Sequence, residues 1–298
     1  MGSDRVDVDA DLVTELVRQQ FPEWAGMPVV AVEPGGVDNH TFRLGDHLSV
    51  RLPSAPGYVE QVAKEQRWLP WLAPQLPLPI ARPVGLGRPV AGYPFPWSVY
   101  RWLDGDTMTA RRPADLVRFA TDLADFLVAL RRVDAAHGPA AGSHCFFRGA
   151  HPVVYAEDTE NALAALGDEV DQDGARRVWD AALAAPITAP PTWFHGDVAG
   201  GNLLVRDGRL AAVIDFGTCG VGDPACDTVL AWTELTGPAR DAWKRRLNLD
   251  AGTWARGRGW ALWKALITLV GELAEDNQTG AAASRRVIDT VVADQQQQ

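Results

Sequence analysis

Cysteine is scarce: Cys145, Cys219 and Cys226 are the only three in 298 residues, and none belongs to a CxxC pair. A disulfide framework is excluded, and the three read as reduced packing residues. Basic charge is also in deficit, with 28 Lys and Arg against 38 Asp and Glu for a net charge of −10. A broad cationic surface for DNA or RNA is therefore not expected, and one Arg256-Gly257-Arg258-Gly259 stretch does not reverse that. An acidic balance favours small or cationic partners. Long apolar runs are missing too. The longest, Trp260 to Ala274, is broken by Lys264 and Glu272, and it is shorter than the roughly 20 apolar residues that cross a bilayer. No apolar segment follows Met1-Gly2-Ser3-Asp4-Arg5 to act as a secretory signal, so a cytoplasmic protein with no membrane partner is expected. His144 and His151 lack the spacing and companions of a zinc site. There is no fixed-period repeat, and the Gln295 to Gln298 tail is assigned no structure.

What remains is ordinary for a folded protein: 47% hydrophobic and 22% charged residues. Leu12, Val13, Leu16, Val17 and Phe21 recur at helical spacing, and Val29 to Val32 follows as a strand. A glycine-bearing loop, Pro34 to His40, comes next. Gly45-Asp46 between two alternating segments then signals a two-residue hairpin. Residues 58–69 return to helical spacing with Val59, Val62, Ala63 and Leu69 on the apolar side and Glu65 at its border. Eight prolines from Pro70 to Pro96 argue against any long regular element there. A strand over Trp97 to Leu103 and a turn at Asp104-Gly105 close this region. The boundary is placed here, giving residues 1–103 as one lobe and 104–298 as a second, mainly helical one that starts with a helix from Pro113. Leu203 to Ile214, two apolar strands around Asp207-Gly208, is a strong type I′ hairpin signal.

That hairpin carries the chemistry. With Asp207-Gly208 at the turn, Arg206 pairs with Arg209 and Val205 with Leu210. Continuing the count sets Asn202 opposite Val213, with Asn202 and Asp215 as diagonal neighbours on one face. Asp197 enters the same rim from the preceding loop. A carboxylate and an amide oxygen at a hairpin mouth suit Mg²⁺ shared with substrate phosphates. Asp223-Pro224 reads separately as an N-cap with proline at the first helical position, leading into Thr228 to Leu235, and Asp223 and Asp227 are taken as structural.

The ordered set His195-Gly196-Asp197…Asn202, Ile214-Asp215-Phe216-Gly217 and Gly222-Asp223-Pro224…Asp227 resembles the aminoglycoside phosphotransferase family, relatives of protein kinases. The resemblance covers nearly the whole chain. It implies an α+β, two-lobed kinase-like fold with a small antiparallel-sheet N-lobe, a larger helical C-lobe, and ATP or GTP in the cleft. By the same resemblance Asp197 accepts the proton of the substrate hydroxyl, while Asn202 and Asp215 hold Mg²⁺. His195 is read as a buried brace of its loop.

The sheet is expected to grip the nucleotide. The family pattern calls for a lysine on the third strand, and Arg51 stands there instead, a departure that changes reach and geometry. Arg51 and Ser49 face the cleft, away from Leu48, Val50 and Leu52, and Glu65 is the expected helix partner of Arg51. Gly35 and Gly36 are expected to cover the phosphates, although no GxxxxGK[ST] P-loop occurs. Val99, Arg101 and Leu103 align with the linker whose backbone meets the purine. Side chains here do not separate ATP from GTP.

Too few residues lie between Asp215 and Asp223 for a protein-kinase activation segment, so a small-molecule acceptor is expected. It is read as aminoglycoside-like and cationic, with Thr218, Glu234 and Glu272 as candidate contacts and one or two of the twelve tryptophans stacking on a ring. A metabolic or macrolide kinase of the same fold, or a nucleotide-binding pseudokinase scaffold, are the alternatives. Oligomeric state is not legible.

Overall fold

The computed structural model describes residues 5–33 and 35–297; Met1 to Asp4, Pro34 of the glycine loop and Gln298 lie outside them. Helix α1 (Ala10–Gln20) starts where the Asp9 carboxylate accepts the Leu12 N–H at 2.8 Å, a side-chain cap for one of the free donors of the first turn. Its Val13, Leu16 and Val17 are buried on a sheet whose inward positions follow the two-residue period. The sheet holds β1 (Val29–Ala31), β2 (Asn39–Leu44), β3 (Leu48–Pro53), β4 (Pro83–Gly87) and β5 (Trp97–Arg101), in the order β1-β2-β3-β5-β4 and antiparallel throughout. Leu48, Val50 and Leu52 join Phe42, Trp97 and Val99 in its core.

Three local readings are corrected. Leu44 pairs with Leu48, so the β2–β3 connection is three residues rather than two, with Gly45 at φ +58°. Helix α2 (Val59–Leu72) runs through Pro70. The missing N–H costs one hydrogen bond near the helix end, while Leu69 and Leu72 are wholly buried. The buried side of α2 also differs: Ala63 is exposed, whereas Gln61, Lys64 and Glu65 are buried. Strand β4, inside the proline-rich stretch, was not expected; Pro83 stands at its first position, at the sheet edge, where a missing donor is tolerated.

Past β6 (Asp106–Thr107) the chain is mainly helical. Helices α3 (Leu116–Arg132), α4 (Ala156–Leu166) and α5 (Gln172–Ala184) precede β7 (Thr192–Phe194), the hairpin β8 (Leu203–Arg206) and β9 (Arg209–Val213), and β10 (Gly220–Gly222). Then follow α6 (Leu230–Thr233), α7 (Gly237–Leu247), α8 (Ala251–Ala274) and α9 (Gln278–Gln296). Helix α8 packs on α4, α5 and α9 and is the spine of a second core. The glutamine tail is not featureless: α9 continues to Gln296, and the Gln295 side chain accepts the Arg258 Nε–H at 2.9 Å.

The Arg-Gly-Arg-Gly stretch lies inside α8 and is buried. Arg256 grips Asp223 through two hydrogen bonds, Nε to Oδ2 at 2.6 Å and Nη2 to Oδ1 at 3.1 Å. Gly257 and Gly259 give room for neighbours, since added Cβ atoms would meet Thr228 Oγ1 at 2.0 Å and Ala182 Cβ at 2.5 Å. Asp223 holds the expected N-cap position with Pro224 after it, but its carboxylate is taken by Arg256 and makes no capping bond, and the segment is a 3-10 turn over Pro224–Thr228 followed by the short α6 rather than one helix. Arg256→Met leaves the Asp223 carboxylate buried and unpaired. It is expected to lower unfolding stability by about 3–5 kcal/mol, read from the urea midpoint; a loss under about 1 kcal/mol would show that the pair does not brace this lobe.

Candidate active site

Strand β7 delivers His195 and Gly196 into a buried turn whose backbone donors need partners. Asp227 supplies both: its Oδ2 accepts the His195 N–H at 2.9 Å and its Oδ1 the Gly196 N–H at 2.7 Å. Burial pushes the Asp227 carboxyl upward, while His195 and these two N–H groups oppose the shift. Gly196 sits at φ +89°, and a Cβ there would meet the Thr218 carbonyl oxygen at 2.6 Å, so glycine is required. The Asp197 N–H donates to His195 Nδ1 at 3.2 Å, and His195 Nε2 lies 3.0 Å from the Ile214 carbonyl oxygen. An accepting Nδ1 places the proton on Nε2, which donates to Ile214. The imidazole thus ties the Asp197 loop to the chain just before Asp215.

Asn202 closes the loop from the other side, its Nδ2 donating to Asp197 Oδ2 at 2.8 Å and to the Asp197 carbonyl at 2.9 Å. The hairpin turn is as expected, with Asp207 at φ +53° and Gly208 at φ +73°. A bulge between Leu204 and Val205 then shifts the register, so Leu203, not Asn202, stands opposite Val213. The Asn202 carbonyl accepts the Ile214 N–H at 2.9 Å instead. An extra residue in one strand moves all later pairings by one, and the diagonal Asn202–Asp215 relation does not form. Asp215 itself takes φ +63°, a left-handed conformation that aspartate tolerates better than most residues.

Arg51 donates from Nη2 to Asp215 Oδ1 at 2.8 Å and lies with Nη1 3.6 Å from Glu65 Oε1. Tyr100 donates its hydroxyl proton to Glu65 Oε2. The two carboxylates respond differently. Burial raises Glu65, and the more distant Arg51 only partly offsets it. For Asp215 burial is outweighed by the charge and hydrogen bond of Arg51, and its carboxyl lies below the usual range.

Sequence reasoning missed three groups. Lys64, next to Glu65, is buried and donates to the Gly217 carbonyl at 2.6 Å and the His144 carbonyl at 3.1 Å, pinning the segment after Asp215. A lysine within an apolar-spaced stretch was a usable signal. Asp38, from the glycine loop, is raised by burial first and then by the charge of Asp215. Gln61 Nε2 donates to it at 3.4 Å. Arg148, whose Nε donates to the Gly196 carbonyl at 3.2 Å, carried no local signal.

Other expected positions land variously. Gly35 and Gly36 lie in the connection from β1 to β2, and Ser49 is buried on β3. Val99 is flanked by Val50 and Gly85 within the sheet, with its side chain in the core. The Arg101 N–H donates to the Arg82 carbonyl at 3.0 Å. Neither offers a backbone donor to a purine, because a mid-sheet strand uses its donors in the ladder. Leu103 lies just past the strand. Thr218 donates its hydroxyl to the His195 carbonyl at 3.1 Å and braces the loop rather than facing an acceptor.

Two adjoining cavities, of about 480 Å³ and 180 Å³, share Val229, Thr233, Glu234 and Lys264, and Asp197 lines the smaller one. Glu234 is thus in the wall, paired with Arg112 Nη1 at 2.5 Å. Glu272 is not, for it packs on Gly280 at the turn into α9. It lies one helical turn, about 6 Å, beyond Thr268, the last α8 residue in the wall. Trp232, Trp243, Trp254, Trp260 and Trp263 of this lobe are buried. Trp263 stacks on Tyr155 at 3.9 Å and has Arg148 4.7 Å from its ring centre, so an open stacking face for a substrate ring is not what they provide.

A two-lobed kinase-like fold with an Asp-Asn-Asp constellation between sheet and helical lobe defines a phosphotransferase class. The family model of the APH phosphotransferase enzyme family matches residues 30–260, and the chain belongs to that family. Its members are enzymes that transfer phosphate to hydroxyl groups. Among curated proteins none matches the chain in sequence. Among solved structures it is similar to a GDP complex of an aminoglycoside 2'-phosphotransferase-IIIa variant, with 20% identity, TM-score 0.76, and coverage of 96% of this chain and 98% of that one. The gentamicin complex of APH(2")-IIa matches at 17% identity and TM-score 0.62, covering 96% and 97%. The macrolide 2'-phosphotransferase MphH of Brachybacterium faecium matches at 21% and TM-score 0.60, covering 94% and 98%. At these identities the likeness establishes the fold.

Among the described residues no helix is long and apolar enough to cross a membrane, and no group of three or more His, Cys, Asp and Glu side chains is placed to hold a metal alone. Arg51→Met is expected to cost about 2–3 kcal/mol of stability at pH 7, the scale of a charged hydrogen bond. Because the folded Asp215 carboxyl lies below its unfolded value of about 3.9, its contribution is present above pH 4 and fades as pH falls through the folded value. Urea unfolding of both proteins at pH 7 and pH 3.5 checks this; a difference that grows on acidification would contradict it.

Proposed function

We propose that the chain is a Mg²⁺-dependent phosphotransferase that moves the γ-phosphoryl group of ATP or GTP to a hydroxyl of a small molecule, with residues 1–103 as the nucleotide lobe and 104–298 as the acceptor lobe. The supporting observation is the setting of Asp197. Its Oδ2 is occupied by Asn202, its Oδ1 accepts no hydrogen bond among the described residues, and its side chain lines the cavity. A carboxylate oriented by one oxygen and open at the other suits a general base.

The donor set fits Mg²⁺. Asn202 points its amide N–H at Asp197 and so keeps Oδ1 available, and Asp215 adds an ionised carboxylate held by Arg51. A hard cation of this kind uses one or two carboxylates together with nucleotide phosphates. When bound, it supplies neutralisation of phosphate charge. Asp197 takes the proton as the acceptor oxygen forms its bond to phosphorus and the bond to the leaving nucleoside diphosphate breaks. Arg51, pinned by Glu65 and Asp215, stands where phosphate oxygens would meet a guanidinium. The absence of a protein-kinase activation segment and the likeness to small-molecule kinases support a small acceptor.

Asp197→Asn is expected to retain nucleotide binding by calorimetry and to lower phosphoryl transfer by about 10²–10⁴-fold; unchanged turnover would remove the base from Asp197. Asp215→Ala is expected to abolish the Mg²⁺ dependence of nucleotide binding, measured by titration with and without the metal.

A further inference from the structure

The charge of the acceptor groove runs against a cationic substrate. Lys264, on α8, is shared by the two cavities and has no ion-pair partner among the described residues. Burial and then the charge of Arg148 pull its ammonium below the usual lysine range, while Asp197 pulls the other way. Arg148 lines the smaller cavity beside Asp197, and Arg240 and Arg286 line the larger one, again without acidic partners among the described residues. Acidic groups in the lining are fewer: Asp197 is assigned to the reaction, and Glu234 is already paired with Arg112. A polycation entering this groove would meet uncompensated positive charge from half-buried Arg148 and Arg240 and from exposed Lys264 and Arg286.

A second observation concerns hydrogen-bond donors. Trp260 and Trp263, 98–95% buried by their 2% and 5% exposures, line the smaller cavity. Among the described residues their indole Nε1–H groups and Arg148 Nη1 have no hydrogen-bond partner, and all three atoms are closed off from solvent. Indole and guanidinium nitrogens donate and cannot accept, whereas an ionised carboxylate or phosphate ester only accepts. An anionic group in the cavity is complementary in charge to Arg148, which lines it.

We propose that the acceptor is a hydroxylated small molecule bearing an anionic group, a carboxylate or phosphate ester, held by Lys264 and Arg148 while its hydroxyl faces Asp197. This rests on the phosphotransferase reading and gives it a substrate class opposite in charge to an aminoglycoside. Lys264 and Arg148 would act by electrostatic selection: they favour the anion and reject amines of the same shape.

The test uses the full chain and a matched set of probes: glucose, glucuronate, glucosamine and kanamycin. Nucleotide binding with Mg²⁺ and slow nucleotide hydrolysis are measured first without any acceptor. Their absence would sink the phosphotransferase reading, independently of charge preference. Acceptor binding is then measured by calorimetry in the presence of ADP or GDP and Mg²⁺. The expected result is glucuronate binding at least 10-fold more tightly than glucose and glucosamine. In Lys264→Glu that ratio should fall at least 10-fold, and because the ratio is taken within one protein, a loss of folded material divides out. Glucuronate bound no better than glucose, or glucosamine or kanamycin bound more tightly, overturns the proposal. So does a ratio unchanged in both Lys264→Glu and Arg148→Ala.

Discussion

One guanidinium joins the small sheet to the hairpin of the candidate active site. Arg51 comes from the third strand of the small sheet, Glu65 from the helix that follows, and Asp215 from the end of the β8–β9 hairpin, which is far off in sequence. Separating these charges would leave two carboxylates in a poorly solvated cleft, so the position of the sheet relative to the hairpin is coupled to this contact. The shorter of the two ion pairs keeps Asp215 ionised, and an ionised Asp215 is what a phosphate-bound cation would require. Structure and chemistry use the same interaction here.

Around that link the loop bearing Asp197 is built almost wholly from polar groups that satisfy one another. Asp227 accepts two backbone N–H groups, His195 connects Asp197 to Ile214, Thr218 donates to the His195 carbonyl, and Asn202 holds the Asp197 carboxylate. Each bond is modest, but an unmade one in this interior would be expensive. The loop is therefore held in one geometry with Asp197 in the cavity wall. Asp223, four residues before Asp227, serves the same end at longer range by fastening the segment to α8 through Arg256.

Much of this was legible in the residues. The helical spacing of α1 and the alternation of β3 follow from where apolar side chains must face, and Asp207-Gly208 is a turn whose two positive φ values its residues readily adopt. The ordered Asp197, Asn202 and Asp215 set pointed to phosphoryl transfer. Details that depend on neighbours distant in the chain were not legible. Val99 and Arg101 read as a linker but are committed to the sheet, and Thr218 faces its own loop. Glu272 shares a helix with Lys264 yet packs on Gly280 at the turn into α9 and is not in the cavity wall. A bulge of one residue set the partner of Asn202, and no periodicity encodes it.

The amino-acid order by itself pointed to the two-lobed layout, the hairpin and the residues proposed as the catalytic set, because local spacing and turn chemistry are properties of neighbouring residues. Tertiary structure alone decided what those residues face. Arg256 looks like a surface charge until folding buries it against Asp223, and the acidic chain as a whole conceals a groove lined by Lys264 and Arg148. Net charge is a sum over the sequence, whereas the field at a site depends on which few charges lie nearest and least screened.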